Sequence, residues 1–248
     1  MHLIKPSFMH FKKPIVLFLI VTLSLQVKAQ RAYDIILKYT SFIGGAENWK
    51  KVRSIISKGT YNYNGIEFPF TAYSKAPALY KYMVPFKGKY FAQAFDGRTG
   101  WKIDAFKGEK SKTMLNGKDA LAMMNEADVE LESPFINYLQ KGHDALLQGI
   151  DTVEGAACFK VLFTRRNGDV ETYFFKYSNF ELVKKQAPSK NAELEKSVLD
   201  TYYRDYRTVE GITIPFIQES KNNNQPVLTI TIKKITFNKP IADDEFKP

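Results

Sequence analysis

Cysteine and histidine are what this sequence almost lacks. Its 248 residues hold one cysteine, Cys158, and three histidines. A single cysteine excludes an internal disulfide in any redox compartment. His2 and His10 fall in an N-terminal leader, which leaves His143 alone in the mature chain. Clustered His/Cys metal sites and a Ser-His-Asp triad are thereby excluded or confined to one imidazole. Cys158 lies in AACFKVLF, where strand alternation sets it opposite Phe159, Val161 and Phe163, as a small buried residue rather than a nucleophile. His143 follows Leu139–Gly142, where a helix is expected to end, and a cation there would favour the helix dipole. No cofactor and no metal are implied.

Long apolar runs are scarce too. The one that stands out, Ile15 to Leu25 (IVLFLIVTLSL), follows Lys5, Lys12 and Lys13 and precedes Val27-Lys28-Ala29. Crossing a bilayer takes roughly 20 apolar residues, about twice this run. A basic start, a short apolar core and small residues at a cleavage site make residues 1–29 a secretory signal, with Gln30 the first mature residue. No cysteine follows the apolar core, so no lipid-modified N-terminus is indicated, and the mature chain is expected to be exported and soluble. Removing the leader takes four lysines and no acid from a net charge of +10, leaving +6. That excess fits an ordinary solvated surface or peripheral contact with anionic lipid head groups. Scattered lysines on an exported chain speak against nucleic acid.

Residues 30–248 read as a single domain without repeat or linker. Residues 31–46 form an amphipathic helix, with Ile35, Ile36, Tyr39, Phe42 and Ile43 on one stripe and Gly44-Gly45 as its stop. From Ser54 the pattern becomes short strands rich in Tyr, Phe and Ile, punctuated by Gly, Pro and Asn, as in a meandering antiparallel sheet. Two helices interrupt it: Lys118–Asp128, then Pro134–Lys141 with Ser133 as N-cap, Gly142 as its end and Phe135, Tyr138 and Leu139 as its apolar stripe. Strands then resume to the C-terminus, with Asn167-Gly168 a strong hairpin signal. In VLTITIKKITF, Leu228, Ile230 and Ile232 share a face, and the apolar phase then shifts to Ile235 and Phe237. That shift predicts a bulge or a strong bend.

The stretch FDGRTGW, Phe95 to Trp101, packs an acid, a base, a hydroxyl and two glycines between aromatics. A phosphate-binding loop would open a helix. Here Trp101–Phe106 alternates like a strand, so Asp96–Gly100 reads as a hairpin turn. Around it the chain resembles a known family. An amphipathic helix ending in Gly-Gly precedes KGTYNYNG, then PFTAYSKAPALYKY, AFDGRTGW, NGDVETYFFKYSNFELVKK, DYRTVEGITIPFIQES and PIADDEFKP. In that order, across about Ala32 to Phe246, they look like the outer-membrane lipoprotein-sorting proteins of the LolA/LolB superfamily. Each segment is a weak turn-and-strand signature; the ordered set carries the likeness.

The resemblance implies an α+β, mainly β fold. It would be an incomplete, strongly curved antiparallel barrel, with an N-terminal helix and a middle helical lid, Lys118–Asp128 and Pro134–Lys141, covering its concave face. It implies a half-barrel cavity that holds acyl chains of lipids or lipoproteins, with no catalytic residue. The arginine that latches the lid in the family's carrier has no counterpart here, and Arg98 in its hairpin does not supply one. Lipid binding, rather than driven shuttling of lipoproteins, is what the likeness carries.

An acyl-chain site needs a concave apolar wall that adapts to floppy chains, and unbranched, polarizable methionine suits it. Burial contributes about 0.8 kcal/mol per CH₂. The candidate lining is Met114, Met123, Met124, Phe135, Tyr138 and Leu139 from the middle segment, with Ile36, Tyr39 and Phe42 from the first helix; plain core is the competing role. Two other functions stay open. One is an envelope sensor or interaction protein with a separate protein partner. The other is a glycan hydrolase using carboxylates from Asp128, Glu130 and Glu132, or Asp200 and Asp205, beside strand-borne aromatics.

Overall fold

A computed structural model of the protein describes residues 31–248, apart from 64, 118, 121–122, 125–126, 128–132 and 190–196. The expected leader and its cleavage site lie outside these residues.

The first helix, α1, covers residues 31–42. Its end is a Schellman closure: the Gly45 amide donates to the Thr40 carbonyl (2.8 Å) and the Gly44 amide to Ser41 (3.1 Å). Gly44 takes φ 107°, a conformation that favours glycine, and a β-carbon there would lie 2.2 Å from the Gly211 carbonyl oxygen. A one-turn helix, α2 (Ala46–Trp49), follows.

Among the described residues, thirteen strands form one antiparallel sheet. In the N-terminal half they are β1 (Ser54–Tyr63), β2 (Ile66–Lys75), β3 (Leu79–Phe86), β4 (Lys89–Phe95), β5 (Gly100–Asp104) and β6 (Thr113–Met114). In the C-terminal half they are β7 (Asp144–Val153), β8 (Ala156–Thr164), β9 (Val170–Lys176), β10 (Leu182–Pro188), β11 (Val198–Val209), β12 (Ile212–Asn222) and β13 (Gln225–Phe237). The spatial order is β6-β5-β4-β3-β2-β1-β13-β12-β11-β10-β9-β8-β7. Each half is thus a meander, and pairing of β1 with β13 joins them. The sheet stays open, with β6 and β7 at its two edges, as the expected incomplete barrel requires.

The turns follow local chemistry. Asn223 (φ 48°) and Asn224 (φ 64°) make the two-residue link between β12 and β13, where asparagine tolerates the left-handed conformation. The phase shift in β13 is a bulge: Lys58 pairs with Lys234 and Gly59 with Ile232, so Lys233 is the extra residue. The strands approach so closely there that a β-carbon on Gly59 would lie 2.0 Å from the Thr231 carbonyl oxygen.

Residues 115–143 connect the two edge strands; of those described, Met123 and Ala127, then Phe135, Ile136 and Tyr138, pack against the sheet. The segment is helical at positions 117, 119–120, 123–124 and 127. The second expected helix, Pro134–Lys141, is instead a run of turns. The Ser133 hydroxyl does cap the Phe135 amide (3.4 Å). Asn137, however, takes φ 52° and divides the segment. The left-handed Asn137 leaves Phe135, Ile136 and Tyr138 all facing the core, at 3%, 0% and 5% exposure. Leu139, expected on that stripe, is 54% exposed. Gly142 (φ 76°) ends the turn run as foreseen, with the His143 amide donating to the Tyr138 carbonyl.

Candidate functional site: the inner face of the sheet

Directly paired residues share a face, so the register maps the inner surface. Ile55 pairs with Ser74, and Ser74 with Tyr80, which places the two large apolar clusters on one side. The first cluster joins α1 to β8–β10 and the ends of β1, β12 and β13. Phe135 is its hub, with its ring centroid 4.7 Å from Tyr173, 5.2 Å from Phe163, 5.3 Å from Tyr39 and 5.5 Å from Phe175. All four contacts are edge-on, the geometry that aromatic quadrupoles favour. The second cluster sets Met123 and Ala127 against Phe70, Ala72, Tyr80, Val84 and Phe95.

Beside the second cluster lies an apolar strip that is only half-buried: Tyr61 on β1, Phe68 on β2, Tyr82 on β3, Phe91 on β4, and Ile230 and Ile232 on β13. Tyr61 stacks on Phe68 at 5.2 Å and pairs with Ile230. The strip continues through β12 and β11 as polar groups, Gln218 and Ser220 facing Tyr203 and Thr201, with a 2.9 Å hydrogen bond between the Thr201 and Ser220 hydroxyls. The inner face is therefore apolar and aromatic on its N-terminal half and hydroxyl-bearing towards β10–β12.

A buried ionic group closes the C-terminal side. Glu171, 6% exposed, accepts from Arg165 (Nε, 2.9 Å) and from the Tyr173 hydroxyl (2.7 Å), with the Lys185 ammonium 4.0 Å away. Burial alone would raise its pKa; Lys185, Arg165 and the tyrosine hydrogen bond outweigh that and hold it below the ordinary carboxylate value. The same burial, with Glu171 beside it, pushes the Tyr173 phenol well up.

The nine expected lining residues divide three ways. Ile36, Tyr39, Phe135 and Tyr138 are buried together in the first cluster, with Phe42 half-buried against it. Met123 is buried in the second. Met114, Met124 and Leu139 are exposed, at 41%, 40% and 54%. The half-buried strip escaped the sequence reading. Its signal was the alternation of Tyr61, Phe68, Phe70 and Tyr82 along their strands, which cannot say which face is concave.

Asp96–Gly100 is a turn, as read. Asp96 Oδ1 accepts from the Thr99 amide (2.7 Å) and the Arg98 amide (2.9 Å). His143 takes another role than dipole cation: its Nδ1 accepts the Arg166 amide at 3.0 Å, so that nitrogen carries no proton. Cys158 is fully buried on the outer face with Val153 and Phe174, and burial raises its thiol pKa. Of the carboxylates considered for hydrolysis, Asp200 pairs with Lys184 (2.7 Å) and Asp205 with Arg207. Asp128, Glu130 and Glu132 lie outside the described residues. No group of three His, Cys, Asp or Glu that could hold a metal occurs among the described residues, and none of their helices is long and apolar enough to cross a membrane.

Solved structures share this open, curved antiparallel sheet. A DUF1329 family protein from Desulfovibrio piger matches with a TM-score of 0.59 at 13% identity, over 89% of this chain and 97% of that one. A LolA superfamily protein from Nitrosomonas europaea matches at 0.56 and 13%, over 89% and 98%. A putative outer membrane lipoprotein-sorting protein domain from Vibrio parahaemolyticus matches at 0.56 and 9%, over 88% and 97%. At such identities the likeness is one of fold. No family profile matches the sequence, and no curated protein matches it.

Proposed function

We propose that this is an exported periplasmic protein that binds acyl chains of lipids or lipoproteins on its inner face, as a carrier or sorting component for the outer membrane. The observation that carries the reading is the half-buried strip Tyr61, Phe68, Tyr82, Phe91, Ile230 and Ile232. A finished core would bury such side chains fully, whereas an acyl-chain site keeps apolar wall available to a ligand. One long chain buried there would contribute on the order of 10 kcal/mol before ordering costs. Met123 and Met124 would border the strip from the crossing segment, which then acts as the lid. Ile36, Tyr39 and Phe42 would form the floor that cargo meets when the lid lifts, with Phe135 and Tyr138 on the lid's own inner side and Met114 and Leu139 at its margins.

The sorting role of the Vibrio domain, taken from its name, supports this reading. Binding rather than chemistry is the function proposed. The test is native mass spectrometry of residues 30–248 purified without detergent, followed by solvent extraction. A stoichiometric phospholipid or acylated species supports a carrier and identifies the cargo. Protein that is clean and also fails to bind a fluorescent fatty acid removes the reading.

A further inference from the structure

One end of the sheet carries an exposed apolar rim that the binding site leaves unused. It is built from consecutive connections. Tyr63 and Ile66 flank the β1–β2 turn, Phe86 and Lys89 flank the β3–β4 turn, and a short 3₁₀ turn, Ala105–Lys107, follows β5. Tilted ring contacts link these turns: Phe68 to Phe86 at 4.9 Å and Phe86 to Phe106 at 6.5 Å. Outside this base, Ile66, Tyr90 and Phe106 stand 53%, 42% and 38% exposed. Large apolar side chains gathered on neighbouring turn tips mark a contact surface rather than scattered surface residues.

Lysines ring the same tips. Lys87 lies 5.2 Å over the Phe86 ring, Lys89 and Lys110 are exposed, and the Lys107 side chain is 80% exposed, 3.9 Å from Asp104. Among the described residues no carboxylate lies within ion-pair distance of Lys87, Lys89 or Lys110, while the nearby acid Glu67 pairs with Lys233. The outer face near β8–β12 differs, since there Lys160, Lys176, Lys184 and Arg204 each face an acid.

Aromatic and aliphatic tips amid lysines, of which Lys87, Lys89 and Lys110 face no acid among the described residues, fit one partner best. Apolar tips partition into the boundary between lipid head groups and chains, and the lysines meet anionic head groups. We propose that this rim, Ile66, Tyr90 and Phe106 with Lys87, Lys89, Lys107 and Lys110, docks the protein on an anionic lipid surface. Docking does not depend on cargo in the groove, so it stands or falls apart from the carrier reading.

The test is co-sedimentation of residues 30–248 with phosphatidylcholine vesicles, alone or mixed with phosphatidylglycerol, at low and high salt. Binding is expected to the mixed vesicles only, and to weaken as salt screens the lysines. Lys87→Gln with Lys89→Gln should weaken it about 25-fold, at roughly fivefold per lysine. Phe106→Ser should weaken it too, and Tyr177→Ser, exposed at the opposite end, should not. The native tryptophans are buried at 7% and 2% exposure. A Phe106→Trp reporter should therefore blue-shift against a silent background when vesicles are added. Equal binding to both vesicles, no binding at low salt, or an unshifted reporter would overturn the proposal. So would a rim that instead drives self-association, lost in the Phe106→Ser variant.

Discussion

The indole nitrogen of Trp101 donates to the backbone carbonyl of Phe246 at 2.7 Å, joining residues 145 positions apart. The Phe246 ring is fully buried, and Lys75, Lys81 and Lys112 hold the same tail through Ile241, Asp243, Glu245 and Lys247. The C-terminal tail therefore seals the outer face of β4 and β5, where Ala92, Ala94, Trp101 and Ile103 cluster. Phe246→Ala should cost about 3–5 kcal/mol of stability. Urea unfolding followed by tryptophan emission checks this, and a loss under 1 kcal/mol would mean that the tail is ornamental.

Gly59 faces the Thr231 carbonyl with no room for a β-carbon, whereas a β-carbon on Gly100 would meet only the flexible Leu115 side chain at 3.1 Å. Gly59→Ala should therefore destabilise by about 1–3 kcal/mol and Gly100→Ala by distinctly less. Urea midpoints of the two variants, compared side by side, decide it; equal losses would reject the close-approach account.

Glu171 gives a pH signature. Its folded pKa lies below the unfolded glutamate value of about 4.3. The stability it contributes is present above that pH and is lost as pH falls through the folded pKa. Glu171→Gln should thus cost about 3 kcal/mol near neutrality, by leaving Arg165 buried without its counter-charge. The gap to the native protein should narrow as acid protonates Glu171. Parallel unfolding curves at neutral and acid pH test it; a gap independent of pH counts against the ionic role.

The half-buried strip predicts a binding variant that still folds. Ile230→Lys puts a charge where an acyl chain would lie, at a position the fold leaves partly exposed. Losing one side chain's worth of burial, about 1.5–3 kcal/mol, should weaken fatty-acid binding roughly 10- to 100-fold. Titration with a fluorescent fatty acid, alongside circular dichroism to verify the fold, would show it. Unchanged affinity would move the site elsewhere.

Cys158 should resist a thiol reagent in the native protein and react once unfolded, because it is fully buried and its thiol pKa is raised. Rapid native labelling would require local opening of β7–β9.

Much of the architecture was legible from sequence because its causes are local. Gly44-Gly45 ends α1, Asn167-Gly168 and Asp96-Gly97 turn the chain, and the phase shift after Ile232 is a bulge; each depends on a few neighbouring residues. Pro134–Lys141 was misjudged for the opposite reason. There Asn137 turns left-handed, and Phe135, Ile136 and Tyr138 meet partners from α1, β8 and β9 that lie far away in the chain. The site divides along the same line. Buried apolar residues such as Ile36 and Tyr39 could be read from periodicity. Periodicity could not tell that Met114, Met124 and Leu139 face out, or that Tyr61, Phe68, Ile230 and Ile232 converge.

The sequence by itself determined the strands, the turns, the end of α1 and the kink in β13, since alternation, glycine and asparagine act within a few residues. Only the tertiary structure decided that β1 pairs with β13, that Met123 and Phe135 pack against the sheet, and that the tail closes on Trp101. Those are pairings between residues far apart in the chain, set by which apolar faces can be buried together, and no local pattern encodes the choice.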